Sequence, residues 1–235
     1  MTNESRTELN LAGYDEDSEE NITENRRRFL AAFHGKHTLS TVWQIHSNYV
    51  KAVDTFDEAA NTDEKYDALV SNLDGLLVGV KTADCVPVLV GDPVSRSYAA
   101  IHAGWRGTVA SIVTNAVNLL KERYRADPEN MIAAIGPSAC GRTYEIGSDV
   151  IDAFTEKFSE SEKYFTPTRE DHARVDLKYA NRDQLVDAGL QTENIFVTDL
   201  CTIESVELFF SYRVEKRLYG KTGRSLSVIG LANAK

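Results

Sequence analysis

The thiols and imidazoles of this sequence are where its chemistry should lie. Cys85 heads the apolar run Val86 to Val90 and His102 ends the run Tyr98 to Ile101, both within "TADCVPVLVGDPVSRSYAAIHAGWRGT" (82–108), and a Gly-Asp-Pro turn joins the two runs. Their neighbours are foreign to a core: Asp84 on one side, Gly104-Trp105-Arg106-Gly107 on the other. His46 also follows an apolar stretch, "TVWQI", and precedes a turn. Two histidines and a cysteine at strand ends are a ligand set for catalytic zinc with an open fourth position. With a weak axial ligand the same set suits blue copper. The separations, 39 residues from His46 to Cys85 and 17 from Cys85 to His102, match no short finger pattern. Spacing therefore leaves open a buried cysteine with two hydrogen-bonded histidines. His34, His37 and His172 lie in polar loops and read as solvated surface.

Several elements must position these groups. "NITENRRRFLAAF" (21–33) predicts a helix capped by Asn21, with Glu24 completing a capping box. "TLSTVWQI" (38–45) and "YVKAV" (49–53) read as strands, and 54–67 as an exposed polar loop. The runs 76–80, 86–90 and 98–101 are short, continuous and rich in β-branched residues, as buried strands are. Thr108 is placed to cap a helix whose apolar face is Val109, Ile112, Val113, Ala116, Leu119 and Leu120. Further on, "MIAAI", "RVDL", "IFVT", "ELFFS" and "SLSVIG" read as strands. Helices are expected from Ser148 to about Phe158 and from Lys178 to Ala188, the latter ended by Gly189. Alternating strands and helices with several tight turns predict one α/β domain, residues 1–235, of mixed β-sheets flanked by helices.

The chain has 235 residues, enough for a real core, and a net charge of −10. That charge disfavours a nucleic-acid partner, though local basic residues can still collect a small anion. No stretch reaches membrane-spanning length, and "MTNESRTELN" lacks the apolar core of a signal peptide. Three cysteines, Cys85, Cys140 and Cys201, show no pairing pattern, which points to free thiols or metal ligands in a reducing, cytoplasmic setting. Oligomeric state leaves no signal.

"QIHSNYV", "DGLLVGVKTADCVPVLVGDP", "AAIHAGWRGT", "DLKYANRDQLVDAGL", "CT" and "FFSYR" followed by "TGRSLSVIGL" occur in this order. Together they closely resemble the YfiH family, also called the multicopper polyphenol oxidase or laccase-domain family, from about Asn10 to the C-terminus. The resemblance implies a fold similar to the catalytic domain of cytotoxic necrotizing factor. It also implies a metal site made by His46, Cys85 and His102. The strand and R-x-G-G-V-S loop that precede this point in the family find no match here, so activity is expected to suffer if that loop closes the pocket.

Other roles follow less directly. Asp84 is a candidate general acid/base or a carboxylate that orients a ligand. Arg106 is a candidate for structure or substrate contact. Arg26 matches a family arginine suited to phosphate, against a solvated helix face as its plain alternative; Arg142 is a second anion candidate. Gln44 and Trp43 are candidates to line a base pocket, and Phe209, Phe210, Tyr212 and Arg213 read as ordinary packing. "GPSACGRT" (136–143) imitates a phosphate loop, but Arg142 stands where lysine is required and Gly147 interrupts the following helix. Cys140 does not match the cysteine that precedes the tyrosine in the family's corresponding loop.

The resemblance implies purine nucleoside chemistry. Its substrates would be adenosine, inosine, guanosine or methylthioadenosine with phosphate, and adenosine would also be deaminated hydrolytically. Zinc is the expected cofactor, with copper as the other candidate. The usual zinc deaminase signature, H-x-E with P-C-x-x-C, is absent. A four-copper laccase needs many imidazoles, and five histidines are too few. A Cys85–His102 amide hydrolase of the peptidoglycan-editing type is the competing enzyme reading, and a zinc-binding interaction protein the non-enzymatic one.

Overall fold

A computed structural model describes residues 9–11 and 17–231. The expectation for the segment before Asn10 falls on residues 1–8, outside the described residues. In chain order the first half contains α1 (Glu19–Leu30), β1 (Thr38–Ser40), β2 (Val50–Val53), α2 (Phe56–Ala60), β3 (Ala68–Ser71), β4 (Leu76–Thr82), β5 (Val86–Asp92) and β6 (Ser97–Ala103). Then come α3 (Trp105–Val109), α4 (Ile112–Tyr124), β7 (Ile132–Ile135), β8 (Glu145–Gly147), α5 (Ser148–Lys157), β9 (Phe165–Arg169) and β10 (His172–Val175). The chain continues through α6 (Leu177–Asp187), β11 (Ile195–Val197), α7 (Tyr212–Tyr219) and β12 (Ser225–Gly230). The predicted α/β fold with mixed sheets is thereby found.

The central sheet has the order β11-β7-β5-β6-β3-β2, and β4 forms a smaller sheet between β1 and β12. Strand β6 shows why both layers exist. All seven of its residues are buried. Alternate side chains of a strand leave opposite faces, so Ala99 and Ile101 join Ile112, Val113 and Leu120 in one core. Tyr98 and Ala100 pack with Leu76, Val78 and Val80 of β4 in the other. The central sheet is thus sandwiched between α4 with its neighbours and the small sheet. Among the described residues no helix is long and apolar enough to cross a membrane.

Register delivers the reactive groups to one end. In the β5–β6 hairpin, Val86 faces Ala103 and Pro87 faces His102, so Cys85 and His102 emerge side by side. In the neighbouring β3–β6 pair, Ala68 faces Ile101, which sets Asp67 beside His102.

Several local expectations need correction. Helix α1 is capped by Ser18, whose side chain accepts from the Asn21 N–H, and Glu24 pairs with Arg27 and Arg28 instead of closing a box. Strand β1 stops at Ser40, because the chain then leaves the sheet for a bridge between Trp43 and Lys65. The 54–67 segment holds helix α2, with Thr55 and Glu58 forming a capping box, and ends in the fully buried Asp67. Thr108 lies inside α3, and Ser111 precedes α4. "ELFFS" forms turns rather than a strand and leads into α7, capped by Ser211. The loop at Gly136 runs into β8 before α5 begins, so no helix follows it as a phosphate loop requires.

Candidate metal centre

One ligand atom each from His46, Cys85 and His102 lie within 4.8 Å of one another. Cys85 Sγ is 3.8 Å from His46 Nε2, and the two imidazoles meet edge to face with centroids 4.9 Å apart. His102 is buried, Cys85 half-buried and His46 exposed, so the cluster opens to solvent on one side. Gly104 makes the room: a Cβ there would sit 3.0 Å from His46 Cδ2 and 3.1 Å from Cys85 Sγ. Two imidazoles, a thiol and a missing side chain at their meeting point suit a borderline-soft cation.

Asp67, at the head of β3, organises this cluster. One carboxylate oxygen accepts from the His46 N–H at 2.9 Å and from His102 Nδ1 at 2.8 Å. The other accepts from the N–H groups of Ile45 and Ser47, at 3.2 and 2.6 Å, and from the Ser47 hydroxyl at 2.7 Å. Binding of Nδ1 to the carboxylate fixes the proton there and turns Nε2 toward the cluster, the arrangement found behind many metal-bound histidines. The same carboxylate holds His46 at φ +60, a left-handed conformation that a non-glycine residue adopts at a cost.

The charges are coupled. Burial would raise the Asp67 carboxyl, but hydrogen bonds from His102 and Ser47 bring it down to about 2. Burial would lower His102, yet the facing Cys85 sulfur and Asp67 raise it to about 9. Burial would likewise raise the Cys85 thiol, but the His102 imidazolium, with hydrogen bonds from His102 and His46, lowers it to about 6. Without metal, the pair between these two values is thiolate and imidazolium. Alkylation of Cys85 in metal-stripped protein should therefore reach half its maximal rate near pH 6, well below the ordinary thiol value of 9.0. Peptide-resolved iodoacetamide labelling from pH 5 to 10 checks this, and a half-rise near pH 9 would contradict it.

Asp84 is a second strained support, at φ +84. Its Oδ1 accepts from the Thr202 hydroxyl and its Oδ2 from the Arg213 N–H, both at 2.6 Å, while its carbonyl accepts from the Ala139 N–H at 2.9 Å. Three distant segments thus grip the residue before Cys85. Arg213 also donates to the Glu145 carbonyl and lies 5.0 Å from the Tyr144 ring centroid. Tyr144 is raised to about 12 by burial and by the nearby Cys85 and Asp84 charges. Arg213 therefore does more than pack.

The remaining candidates fall in different places. Both amide atoms of Gln44 are bound to the main chain of Lys81, Nε2 donating to its carbonyl at 2.7 Å and Oε1 accepting from its N–H at 2.8 Å. Gln44 therefore ties the His46 loop to β4. Trp43 is exposed. Arg106 is exposed and lies over the Trp105 ring at 4.2 Å. Arg142 forms a two-point ion pair with Glu204. Arg26 is half-buried on α1, one turn before Phe29. Phe29 lines a cavity of about 420 Å³ together with Leu11, Thr82, Thr202, Phe209 and Phe210. Phe209 and Phe210 are thus cavity walls. The cavity reaches Asp84 through Thr202; His46 and His102 do not line it.

Sequence reasoning missed Asp67, Tyr144 and Arg213. A signal existed for Asp67, a carboxylate placed directly before the uninterrupted apolar run "ALV".

Together these features define an α/β protein with a candidate His–Cys–His metal centre at strand ends. The chain belongs to the multi-copper polyphenol oxidoreductase laccase family, which it matches over residues 1–232. It is 36% identical to a purine nucleoside phosphorylase of Staphylococcus saprophyticus, covering 94% of this chain and 84% of that protein. It is 33% identical to the purine nucleoside phosphorylase YlmD of Bacillus subtilis, covering 96% and 83%. Among solved structures, the hypothetical protein YfiH of Bacillus licheniformis superposes with a TM-score of 0.89 at 32% identity, covering 95% of this chain and 85% of that one. Among the described residues, His34, His37 and His172 join no cluster of three metal-binding side chains.

Proposed function

We propose that this protein is a zinc-dependent purine nucleoside phosphorylase that also deaminates adenosine. The observation that carries the proposal is the convergence of His46, Cys85 and His102, with His102 held by Asp67 so that Nε2 is free to ligate. The names of the relatives supply the substrate class. When bound, zinc supplies Lewis acidity toward water or a substrate oxygen. The chain's own residues do the rest. Asp67 sets the tautomer of His102 and carries negative charge behind it. Asp84, already bonded through both carboxylate oxygens, fixes Cys85 rather than delivering a proton. Arg26 on α1 is the phosphate candidate by its family match, and Arg142, paired with Glu204, is the second. Four-copper chemistry is not supported, since among the described residues the other three histidines gather at no second centre. Three free cysteines fit a reducing, cytoplasmic location.

One observation favours a second reading. Cys85, His102 and Asp67 are aligned as thiol, imidazole and carboxylate, the order used by a Cys-His hydrolase acting on an amide. His46 would then have no role.

Metal content and turnover separate the readings. The protein is purified without added metal, zinc and copper per chain are measured, and it is incubated with adenosine and phosphate beside His46→Ala and Cys85→Ala variants. Bound zinc at this centre, with adenine and inosine formed by the parent and by neither variant, is the expected result. A parent free of metal, with Cys85 reactive toward electrophiles, would overturn the zinc reading in favour of the hydrolase.

A further inference from the structure

A second group of soft donors lies outside this centre. Cys140, in the loop between β7 and β8, and Cys201, between β11 and α7, are free, buried thiols. They are drawn together by a parallel bridge between Ser138 and Cys201, closed by the Thr202 N–H donating to the Ser138 carbonyl at 3.1 Å. Both sulfurs and a carboxylate oxygen of Glu204 lie within 4.8 Å of one another. The Thr143 hydroxyl sits between the sulfurs, 3.4 Å from Cys140 and 3.3 Å from Cys201. Lys178 pins the loop between β11 and Cys201 by donating to the carbonyls of Thr198 and Leu200 at 2.8 and 2.7 Å.

We propose that Cys140, Cys201 and Glu204 form a second zinc site, three protein donors with the fourth position left to water, that clips together the two loops holding Asp84. The donor set decides the ion. Paired thiolates select zinc or cuprous copper, and the carboxylate favours the divalent ion. Zinc lies about 2.3 Å from sulfur and about 2.0–2.2 Å from carboxylate oxygen, so donors this close need only a small inward turn of the side chains. Charge also fits. Two thiolates and a carboxylate exceed the charge of zinc by one, and Arg142, already paired with Glu204 at 2.7 Å, balances it. Access exists, since Cys140 lines a cleft of about 350 Å³ shared with Lys178, Tyr179 and Arg182. The clip has an evident function. Ala139, beside Cys140, donates to the Asp84 carbonyl, and Thr202, beside Cys201, donates to its carboxylate. Holding Cys140 to Cys201 therefore holds the grip on the residue that precedes Cys85.

The test is a zinc count on the full chain, stripped by chelator, reloaded under reductant and desalted. The parent should hold one equivalent more than Cys140→Ser or Cys201→Ser, and His46→Ala should keep that equivalent. Cobalt gives an independent reading. In Cys85→Ala, the near-ultraviolet sulfur-to-cobalt band should persist, and it should vanish when Cys140→Ser is added. Glu204→Gln, on an exposed side chain, guards against misfolding and should weaken the second equivalent at least about tenfold. An unchanged count in both cysteine variants would overturn the proposal. So would a Cys140–Cys201 disulfide in protein isolated from a reducing cytoplasm, which would make the thiols a redox pair. Neither result touches the His46 centre, whose own failure would appear as His46→Ala losing nothing.

Discussion

Asp67→Asn should lower zinc affinity at the His46 centre by about 100-fold, the upper end for a carboxylate behind a metal-bound histidine. It should also destabilise the metal-free fold by about 3–5 kcal/mol, the usual effect of breaking a buried charged network. The carboxylate receives five donors, two on one oxygen and three on the other. An asparagine amide can accept on one side only. Whichever way it turns, its NH2 meets at least two donors, and each buried group left unpaired costs about 1–3 kcal/mol. If the NH2 faces His102, the ring can no longer donate from Nδ1, and the tautomer that frees Nε2 is lost. If it faces Ser47, the loop that carries His46 loses its anchor.

The pH dependence has a definite sign. Because the folded-state Asp67 carboxyl lies near 2, below its ordinary 3.8, its contribution is complete above about 4 and fades as pH falls through 2. The raised His102 works the other way. In metal-free protein its contribution is complete below 6.5 and is lost as pH rises through about 9. Competition against a chromophoric chelator gives the affinity, and thermal unfolding from about pH 1.5 to 10 gives the profile. Wild-type affinity and a wild-type midpoint in Asp67→Asn would remove Asp67 from its organising role.

How far the sequence discloses this centre depends on the range of the interactions. The β5–β6 hairpin is local. Two apolar runs and a tight turn fix their own register, so Cys85 and His102 were legible as neighbours. His46 was legible only as a histidine at a strand end, because its approach depends on a loop held by a carboxylate 21 residues further on. Asp67 carried only a partial signal, its place directly before the apolar run "ALV". The polar residues before it suggest solvent, and only the β3–β6 pairing shows that it is buried beside His102. Arg213 was missed for a related reason, since its contribution at Asp84 is a main-chain N–H at the start of α7, which no side-chain pattern reports. The cap of α4 misled as well. Thr108 has the right chemistry for a cap, but Gly104 starts a short helix first and Ser111 takes the turn.

Gly104→Ala should abolish tight zinc binding at the His46 centre while leaving the fold nearly as stable as before. Backbone strain plays no part, because φ −73 and ψ 172 are open to any residue. The obstacle is space. The added methyl would lie 3.0 Å from His46 Cδ2, 3.1 Å from Cys85 Sγ and 3.8 Å from His46 Nε2, pressed against two of the three proposed ligands. To escape, the His46 ring or the thiol must rotate away, and a ligand displaced by a few tenths of an ångström leaves the narrow range of metal–ligand distances. Affinity should therefore fall by more than tenfold. Gly104 also caps α3, and alanine there should lower stability by about 1 kcal/mol. Gly104→Ser separates the two effects, since serine brings the same Cβ but restores a capping oxygen. Both variants should lose zinc, and only alanine should lower the unfolding midpoint. If Gly104→Ala keeps parental zinc affinity in a chelator competition, the ion does not lie between His46 and Cys85, and the centre would have to be built on other atoms.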